Sequence, residues 1–445
     1  MTRDAAGRKA RIVPRDINGA DRPCAECVTE PEPPAGRPAA SPARARRCGV
    51  AFWLVAFLFA ATMLGTTLPT PLYVIYQAQW HFTAAITTVI FATYTVGVLA
   101  ALLLAGRSSD QVGRRPVLAA ALGLSMVSTI VFILAPGLPW LFVGRVVSGL
   151  SAGLVTGTAT AALTDILARR AGAGGAAAAS ASARRASIVA TAANMGGLGL
   201  GPLIAGLFAE YAPAPTVLVL EVYLVLLALA VLGLAIVPET VTSSERLSLR
   251  FSGLGIPDAG RSEFVAAGVA GFAAFSLLGL FSALAPSFLS GVLHQHSHSV
   301  GGAVVFAVFG IAAASQLFLG RFPSRPVMTL GLSLFAVALA LIVAGLSQAS
   351  MALFLAGTLV AGLAIGAVMI GSLSTANRLA PPQIRGKAVS TYFVFCYIGL
   401  TIPVIGVGIA SEYVGDFRSV LACAIALTVL CAVSMTGIRR ASIAS

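Results

Sequence analysis

Long runs of apolar residues, separated by short polar segments, make up most of the chain. Twelve of these runs are close to the ~20 residues that an α-helix needs to cross the hydrocarbon core of a bilayer. They lie at residues 50–75, 84–105, 116–134, 139–166, 186–209, 216–237, 264–289, 300–319, 326–346, 351–377, 387–410 and 418–438. A transmembrane β-barrel would show alternating segments of about ten residues instead. The pattern therefore predicts an all-α integral membrane protein with twelve transmembrane helices.

A polar stretch, residues 238–263, interrupts the pattern between the sixth and seventh helices and predicts a linker between two six-helix bundles, 49–237 and 264–438. The first 48 residues are rich in Arg, Pro, Ala and Glu without apolar periodicity. Such a segment cannot bury enough surface to fold alone. We therefore expect a disordered basic arm at 1–48 and a short tail at 439–445.

Composition supports this class and excludes others. Of the 445 residues, 58% are hydrophobic and 10% are charged, a balance with which a soluble globular protein would aggregate. The formal charge of +13 could suggest a nucleic-acid partner, but that interpretation requires a basic face on a soluble domain. We expect a monomer in the inner or plasma membrane of the cell. Its expected partner is the lipid bilayer, and no nucleic acid is expected to bind.

The basic residues are distributed on one side only. Apart from Arg145 and Arg418, all 29 Lys and Arg residues lie in the arm, in the loops after even-numbered helices, or in the tail. Cytoplasmic loops of membrane proteins carry such an excess of positive charge. The distribution predicts that both termini are cytoplasmic.

Residues 106–118, GRSSDQVGRRPVL, form a charged turn after the second helix. Asp110, Arg114 and Arg115 are costly in hydrocarbon, so the turn belongs at the membrane surface. Gly106 and Gly113 permit a tight backbone there. A degenerate copy without the acid, GRFPSRP, follows the eighth helix and supports a duplication of the bundle.

This turn resembles the loop signature of the major facilitator superfamily, G-x-L-A-D-R-x-G-R-K-x-x-L. Gly106, Asp110, Gly113, Arg114 and Leu118 match, and Arg115 replaces Lys. The departures are Ser108, Ser109 and Gln111, of which the last removes one charge from the family's network. The resemblance implies that Asp110 faces the start of the eleventh helix, near Lys387, in one of two conformations, or else it is a solvated loop acid.

Arg145 lies inside the fourth helix, about six positions from its start. An intramembrane ionisable group is a candidate for function because an unpaired charge is costly in hydrocarbon. The surrounding segment resembles the family's helix-four motif, with Arg145, Gly149 and Gly153 in matching places. That resemblance implies a role in proton coupling, whereas the alternative is an Arg that reaches toward the headgroups or fixes helix packing.

The fifth helix contains GLGLGPLIAG, which resembles the family's antiporter motif. Gly197, Gly201, Pro202 and Gly206 match, and Ala205 replaces one Gly. Small residues four apart allow a neighbouring helix to approach closely, and proline bends the helix. The resemblance implies the drug:proton antiporter branch, whereas the structural alternative is a close-packed, kinked helix.

Other polar groups are weaker candidates. The residues expected to include cavity-lining groups are Asn194, Gln316, Ser372, Thr375, Tyr392 and Tyr397. His294, His296 and His298 have spacing compatible with a metal, but without a nearby carboxylate they favour a polar turn. Cys24 and Cys27 lack a second pair or a His, which makes a zinc site weak.

We expect no metal, no cofactor and no enzymatic activity, and with no Walker sequence a proton gradient is the expected energy source. The resemblance implies a secondary transporter that exports small amphipathic or drug-like molecules in exchange for protons. Two alternatives remain: proton-coupled uptake of a sugar, organic acid or other metabolite, and, more remotely, a polytopic membrane enzyme.

Overall fold

The computed structural model describes residues 42–106, 108–171, 176–241, 253–293, 295, 297–381 and 383–443. Most of the predicted arm, with Cys24 and Cys27, lies outside these residues, as do residues 242–252 of the predicted linker, His294 and His296. All regular structure within the described residues is α-helical.

The described part of the chain forms fourteen helices: α1 Pro42–Thr67, α2 Tyr73–Trp80, α3 Ala84–Ala105, α4 Ser108–Gln111, α5 Arg114–Ile133, α6 Leu138–Ala171, α7 Ala176–Tyr211, α8 Pro215–Ile236, α9 Arg261–Gly291, α10 His298–Leu319, α11 Ser324–Ser347, α12 Met351–Leu379, α13 Arg385–Val414 and α14 Asp416–Ile443. All except the short α2 and α4 are long and apolar enough to cross a membrane. The predicted count of twelve spans is confirmed.

The first span differs from the prediction at both ends. It begins at Pro42, before the predicted end of the arm, and it ends at Thr67 rather than at residue 75. Pro69 and Pro71 have no amide hydrogen to donate, and each disfavours helical geometry in the residue before it. The chain therefore turns after Thr67 and becomes helical again only as α2.

The helices α6 and α7 extend further than predicted. The Ala-rich and Gly-rich segment around residues 171–183, predicted to be a loop, is helical from Ala176 onward, because alanine has the highest helix propensity. Each of these two helices is about 50 Å long at 1.5 Å per residue, against a hydrocarbon core of about 30 Å. Their ends therefore project beyond the membrane.

Buried apolar side chains form two clusters. One draws on α1 to α8, and the other draws mainly on α9 to α14. Tyr94, Leu198 and Tyr397 pack against both clusters. Each half thus has its own core, and these three side chains connect the two.

Because twelve spans alternate in direction, the loops that follow even-numbered spans share one end of the molecule. We call this end, which carries Arg114, Arg169, Arg325 and Arg378, the basic end. The other end, which carries α2 and the start of α10, is called the opposite end.

At the opposite end, the two halves meet along two seams. In the α3–α13 seam, the Thr401 hydroxyl donates to Thr95 Oγ1 at 3.0 Å, and the Ala85 amide donates to Glu412 Oε1 at 3.2 Å. In the α7–α10 seam, Glu210 Oε2 accepts from the Ser297 hydroxyl at 2.6 Å and from the Ser299 amide at 2.8 Å. These contacts close the opposite end.

Candidate functional site

A cavity of about 540 Å³ lies between the two halves. It is lined by α1, α3, α6 and α7 of the first half and by α9, α10, α12 and α13 of the second. Thr164, Ser187, Asn377 and Val389, which lie near the basic ends of their helices, belong to this lining. Since the seams close the opposite end, the cavity opens toward the basic end.

The cavity wall is mostly apolar. Its aromatic members are Phe59, Phe91, Tyr94, Phe275, Phe309, Phe393 and Tyr397. No charged side chain belongs to the lining within the described part of the chain. A pocket of this size and character suits a drug-sized molecule that is mainly apolar.

Three of the predicted cavity candidates line it and three do not. Asn194, Gln316 and Tyr397 belong to the lining, with Asn194 on α7 and Gln316 on α10. The Gln316 Nε2 atom is buried without a hydrogen-bond partner. Ser372, Thr375 and Tyr392 instead connect helices: Ser372 Oγ lies 2.8 Å from Tyr392 Oη, and Thr375 donates to Ser324 Oγ at 3.3 Å.

Arg145 is completely buried in α6, with 0% of its surface exposed, so it does not reach toward the headgroups. Its guanidinium donates to Tyr73 Oη, to the Thr66 carbonyl oxygen and, at 3.4 Å, to Thr70 Oγ1. It also lies 5.1 Å from the centre of the Tyr73 ring and 5.8 Å from that of Phe91. Hydrogen-bond acceptors and aromatic faces therefore hold the charge.

No carboxylate pairs with Arg145 among the residues that the structure describes. Two of its neighbours, Thr66 and Phe91, line the cavity. The cation is thus one side chain behind the cavity wall. The sequence did not predict the role of Tyr73, because it placed this residue at the end of the first span. The break in the helix at Pro69 and Pro71 turns Tyr73 toward α6.

In the charged turn, Arg114 is the central residue. Its Nη1 lies 2.5 Å from Asp110 Oδ1, its Nε lies 3.2 Å from Asp165 Oδ2 at the end of α6, and its Nη1 donates to Ser109 Oγ at 2.7 Å. The side chain of Arg115 is exposed. Arg114 therefore connects the turn to α6, whereas Arg115 contributes its backbone.

Asp110 is paired within its own turn in this conformation. Lys387, its expected neighbour at the start of α13, lies against Gly253 and Gly255 of the linker instead. Thr391 Oγ1 also exchanges hydrogen bonds with the backbone of Gly255, at 3.0 and 3.1 Å. The linker thus covers the start of α13 while the cavity is open at the basic end.

Glu239, which follows α8, caps the start of α5. Its carboxylate accepts from the amides of Arg114 at 2.9 Å and Arg115 at 3.0 Å, and also from those of Thr240 and Val241. Partial burial opposes ionisation, but these four amide donors outweigh it and hold the pKa of the Glu239 carboxyl below its usual value.

The two glycines of the turn differ. Gly113 has a φ of +106°, and a Cβ at this position would overlap the Glu239 carboxylate. Gly106 has a φ of −59°, which any residue can adopt, so the expectation that both glycines permit a tight backbone holds only for Gly113.

The degenerate copy before α11 obtains its acid from elsewhere. Arg325 donates to both carboxylate oxygens of Glu263, at 2.8 and 2.9 Å, and Arg378 donates to Glu263 Oε1 at 2.6 Å. Glu263 is 3% exposed and belongs to the first turn of α9. The sequence offered one signal that could have identified Glu263 as a partner of these arginines, namely an acid in the first turn of a helix at the basic end.

The glycine motifs are positions of close helix packing. Gly149 and Gly153 of α6 lie against the backbone of α3, and Gly197 and Gly201 of α7 lie against that of α1. Gly206 lies against the carbonyl of His298 on α10, and the Pro202 carbonyl lies against Gly302 of the same helix. A single motif in α7 thus serves two interfaces, one within its half and one across the seam.

Several solved transporters have a similar fold. A bacterial homologue of the human lysosomal transporter Spinster, solved in an inward-facing and unoccupied conformation, has a TM-score of 0.66 and 16% identity over 90% of this chain and 98% of that chain. The human organic anion transporter MFSD10 (TETRAN) has a TM-score of 0.62 and 19% identity over 88% of this chain and 99% of that chain. A POT family transporter in complex with 5-aminolevulinic acid has a TM-score of 0.71 and 12% identity over 89% of this chain and 96% of that chain. At these identities the likeness establishes the fold alone.

Among curated proteins, no significant match is found. The family is shown by the sequence itself, because residues 55–325, more than half of the chain, match the family described as Major Facilitator Superfamily. The twelve spans, the two halves and the cavity between them agree with that assignment. The chain therefore belongs to the Major Facilitator Superfamily and is a multi-pass membrane transporter.

Proposed function

We propose that the protein exports small amphipathic molecules from the cytoplasm in exchange for protons, by alternating access. One observation carries the proposal: a mostly apolar cavity between the halves is reachable from the basic end and closed at the opposite end. The excess of Lys and Arg assigns the basic end, with both termini, to the cytoplasm. In this conformation the cavity is loaded from inside the cell.

Arg145 is the proposed coupling residue. It brings a full charge to within one side chain of the cavity, held by Tyr73 and by Thr66 rather than by a carboxylate. A change of these partners between conformations would alter the electric field inside the cavity. The segment of α7 that resembles the antiporter motif of proton-coupled exporters supports the same direction of transport.

Export from loaded cells tests this proposal. Cells that overproduce the protein should release an uncharged fluorescent aromatic compound faster than vector controls, and a protonophore should abolish the difference. Asp110→Asn should insert normally but lose the export, because its pair with Arg114 is broken. Accumulation that a proton gradient increases would establish uptake instead, and wild-type export by Asp110→Asn would remove the switching role of the turn.

Proton-coupled uptake of a sugar, organic acid or other metabolite is the competing function. The similar structures include a transporter of organic anions and a POT family transporter. The described lining of this cavity has no charged side chain, so it offers an ionised solute such as an organic acid no opposite charge. A growth screen of a susceptible host against toxic compounds, with this gene overexpressed, would identify exported compounds.

A further inference from the structure

We infer that the cavity selects uncharged aromatic molecules and excludes organic cations. The inference rests on the proposed function only in taking this cavity as the substrate site. It does not depend on the direction of transport or on proton coupling, because selection is a property of binding at equilibrium.

A cation in the cavity would lose water without meeting an opposite charge among the described side chains. No Asp or Glu belongs to its lining among the described residues. An ion that enters such an apolar space loses its hydration and requires an opposite charge in return. The aromatic faces of the lining can attract a cation, but one of them, the Phe91 ring, already lies 5.8 Å from the Arg145 guanidinium, whose charge repels a second cation there.

Arg145 adds repulsion to this lack of partners. Its charge is fully buried, has no carboxylate partner among the described residues and is close to the wall through Thr66 and Phe91. In a protein interior, a like charge at a distance of several Å is repelled more strongly than in water. An organic cation should therefore bind at least about tenfold more weakly than an uncharged molecule of the same shape.

An anion is also disfavoured, though less. The guanidinium of Arg145 is 0% exposed, and its donors are directed at Tyr73, Thr66 and Thr70. It cannot form a direct ion pair with a ligand in the cavity. Its field reduces the penalty for a negative charge but does not replace the lost hydration. The expected order of affinity is uncharged, then anionic, then cationic.

An uncharged molecule finds suitable partners on both sides. The rings of Phe59, Phe275 and Phe309 present apolar faces. Asn194 on α7 presents a side-chain amide to the cavity lining, and Gln316 Nε2 on α10 is buried without a hydrogen-bond partner among the described residues. These amides come from opposite halves. The substrate class is therefore an uncharged aromatic compound with one or two hydrogen-bonding groups.

Three probes with one ring system test the charge selection. Anthracenemethanol is uncharged, anthracenecarboxylate is anionic, and anthracenylmethyl-trimethylammonium is cationic near neutral pH. Binding of each to the purified full chain in nanodiscs is measured by equilibrium dialysis. Gly157 on α6 lines the cavity, and a Cβ there meets open space, so Gly157→Trp should project its ring into the cavity and obstruct it. The amount of each probe that nanodiscs with this variant still retain measures its partition into the lipid.

Gly123 on α5 provides the matched control, because a Cβ there also meets open space and the residue is outside the cavity lining. Gly123→Trp should bind the uncharged probe as the wild type does. Gly157→Asp places an acid in the cavity and should increase binding of the cation about tenfold or more, whereas Gly157→Asn should not.

The outcomes are distinct. Two results together support the inference. Gly157→Trp removes the binding of the uncharged probe, and the wild type binds the anion more weakly and the cation most weakly. Binding of the cation as tight as that of the uncharged probe overturns it, as does tighter binding of the anion or a Gly157→Asp variant that folds yet gains no cation. A failure of cells to export the uncharged compound would affect only the proposed function.

Discussion

Gly113 satisfies two constraints that a side chain would violate. Its φ of +106° belongs to a region that residues with a Cβ rarely adopt, and the space beside it is filled by the Glu239 carboxylate. That carboxylate in turn accepts the first amides of α5. The glycine of the signature is therefore required by a partner some hundred residues further along the chain, as well as by the turn itself.

Gly113→Ala should destabilise the protein by roughly 1 to 3 kcal/mol and impair transport, because it strains the backbone and displaces the cap of α5. Thermal unfolding of the purified protein and export from loaded cells measure the two effects. Gly123→Ala, on the same helix with open space around its Cβ, should change neither. Equal stability of the two variants would contradict the role assigned to Gly113.

The cap itself predicts a dependence on pH. The lowered pKa of the Glu239 carboxyl means that its ionised form stabilises the folded protein above the ordinary pKa of Glu, about 4.3. This contribution is lost as the pH falls through the lower folded value. Glu239→Gln should reduce the free energy of unfolding by roughly 1 to 2 kcal/mol near neutral pH. In melting curves recorded at decreasing pH, the difference from the wild type should shrink below about pH 4, and a constant difference would exclude the cap.

At the scale of single residues, the sequence predicted the local features better than the long-range ones. Arg145, Asp110 and Arg114 stood out because charges beside apolar runs are rare. Glu239 and Glu263 are equally important in the structure, but their partners lie on other helices, and nothing local indicates which helices meet. The same reason explains why Asn194 and Ser372, both polar and both in spans, could not be separated into a cavity residue and a packing residue.

Among the helices, α7 packs against two different neighbours within about three turns. Gly197 and Gly201 bring it against α1, whereas Pro202 and Gly206 bring it against α10. Only the second contact belongs to the seam that closes the opposite end. The motif thus connects packing within the first half to the position of the second half.

Gly206→Leu should prevent closure of the α7–α10 seam and shift the protein toward a conformation that is open at the opposite end. The expected result is a loss of export and greater labelling of a cysteine introduced at Thr95 by a membrane-impermeant reagent from outside. Gly196→Leu, on the same helix where a Cβ meets open space, is the control and should retain export. Unchanged labelling in Gly206→Leu would show that the close approach is not needed for closure.

The cluster formed by Glu263, Arg325 and Arg378 ties together α9, α11 and α12 at the basic end. Glu263→Gln should lower the free energy of unfolding by roughly 1 to 3 kcal/mol, because Arg325 and Arg378 both lose a charged partner. A double-mutant cycle with Arg325→Gln measures the coupling from thermal unfolding. Arg321→Gln, in the same loop with its guanidinium over Phe318, should have an effect within about 0.5 kcal/mol. Additive effects of Glu263→Gln and Arg325→Gln would show that the pair contributes nothing.

For the whole molecule, the sequence predicted the twelve spans and the membrane-spanning all-helical class because the length of an apolar run is set by bilayer thickness. It did not predict where α1 ends, because the apolar run continues past Pro69 and Pro71. It also did not predict how far α6 and α7 project, since hydropathy carries little information outside the hydrocarbon. The sequence also did not predict the conformation, in which the seams are closed at one end and the cavity is open at the other.

Alternating access requires the α3–α13 seam to open in each transport cycle. Thr95 and Thr401 face each other across it with their hydroxyl oxygens 3.0 Å apart, so cysteines at these positions provide a cross-linking test of the seam. Oxidation of a Thr95→Cys, Thr401→Cys double variant should abolish export, and reduction should restore it, while each single variant should be insensitive. Export that continues in the cross-linked protein would contradict opening at this seam.

The double role of α7 also sets a rule for hybrid proteins. A chimera that joins the first bundle of this transporter to the second bundle of a relative would keep the fit of α7 against α1 but lose the fit of Pro202 and Gly206 against Gly302 and the start of α10. Such hybrids should insert and fold yet fail to seal on the far side of the membrane. A hybrid with a working gate must therefore preserve the fit of α7 against both α1 and α10, as well as the α3–α13 seam.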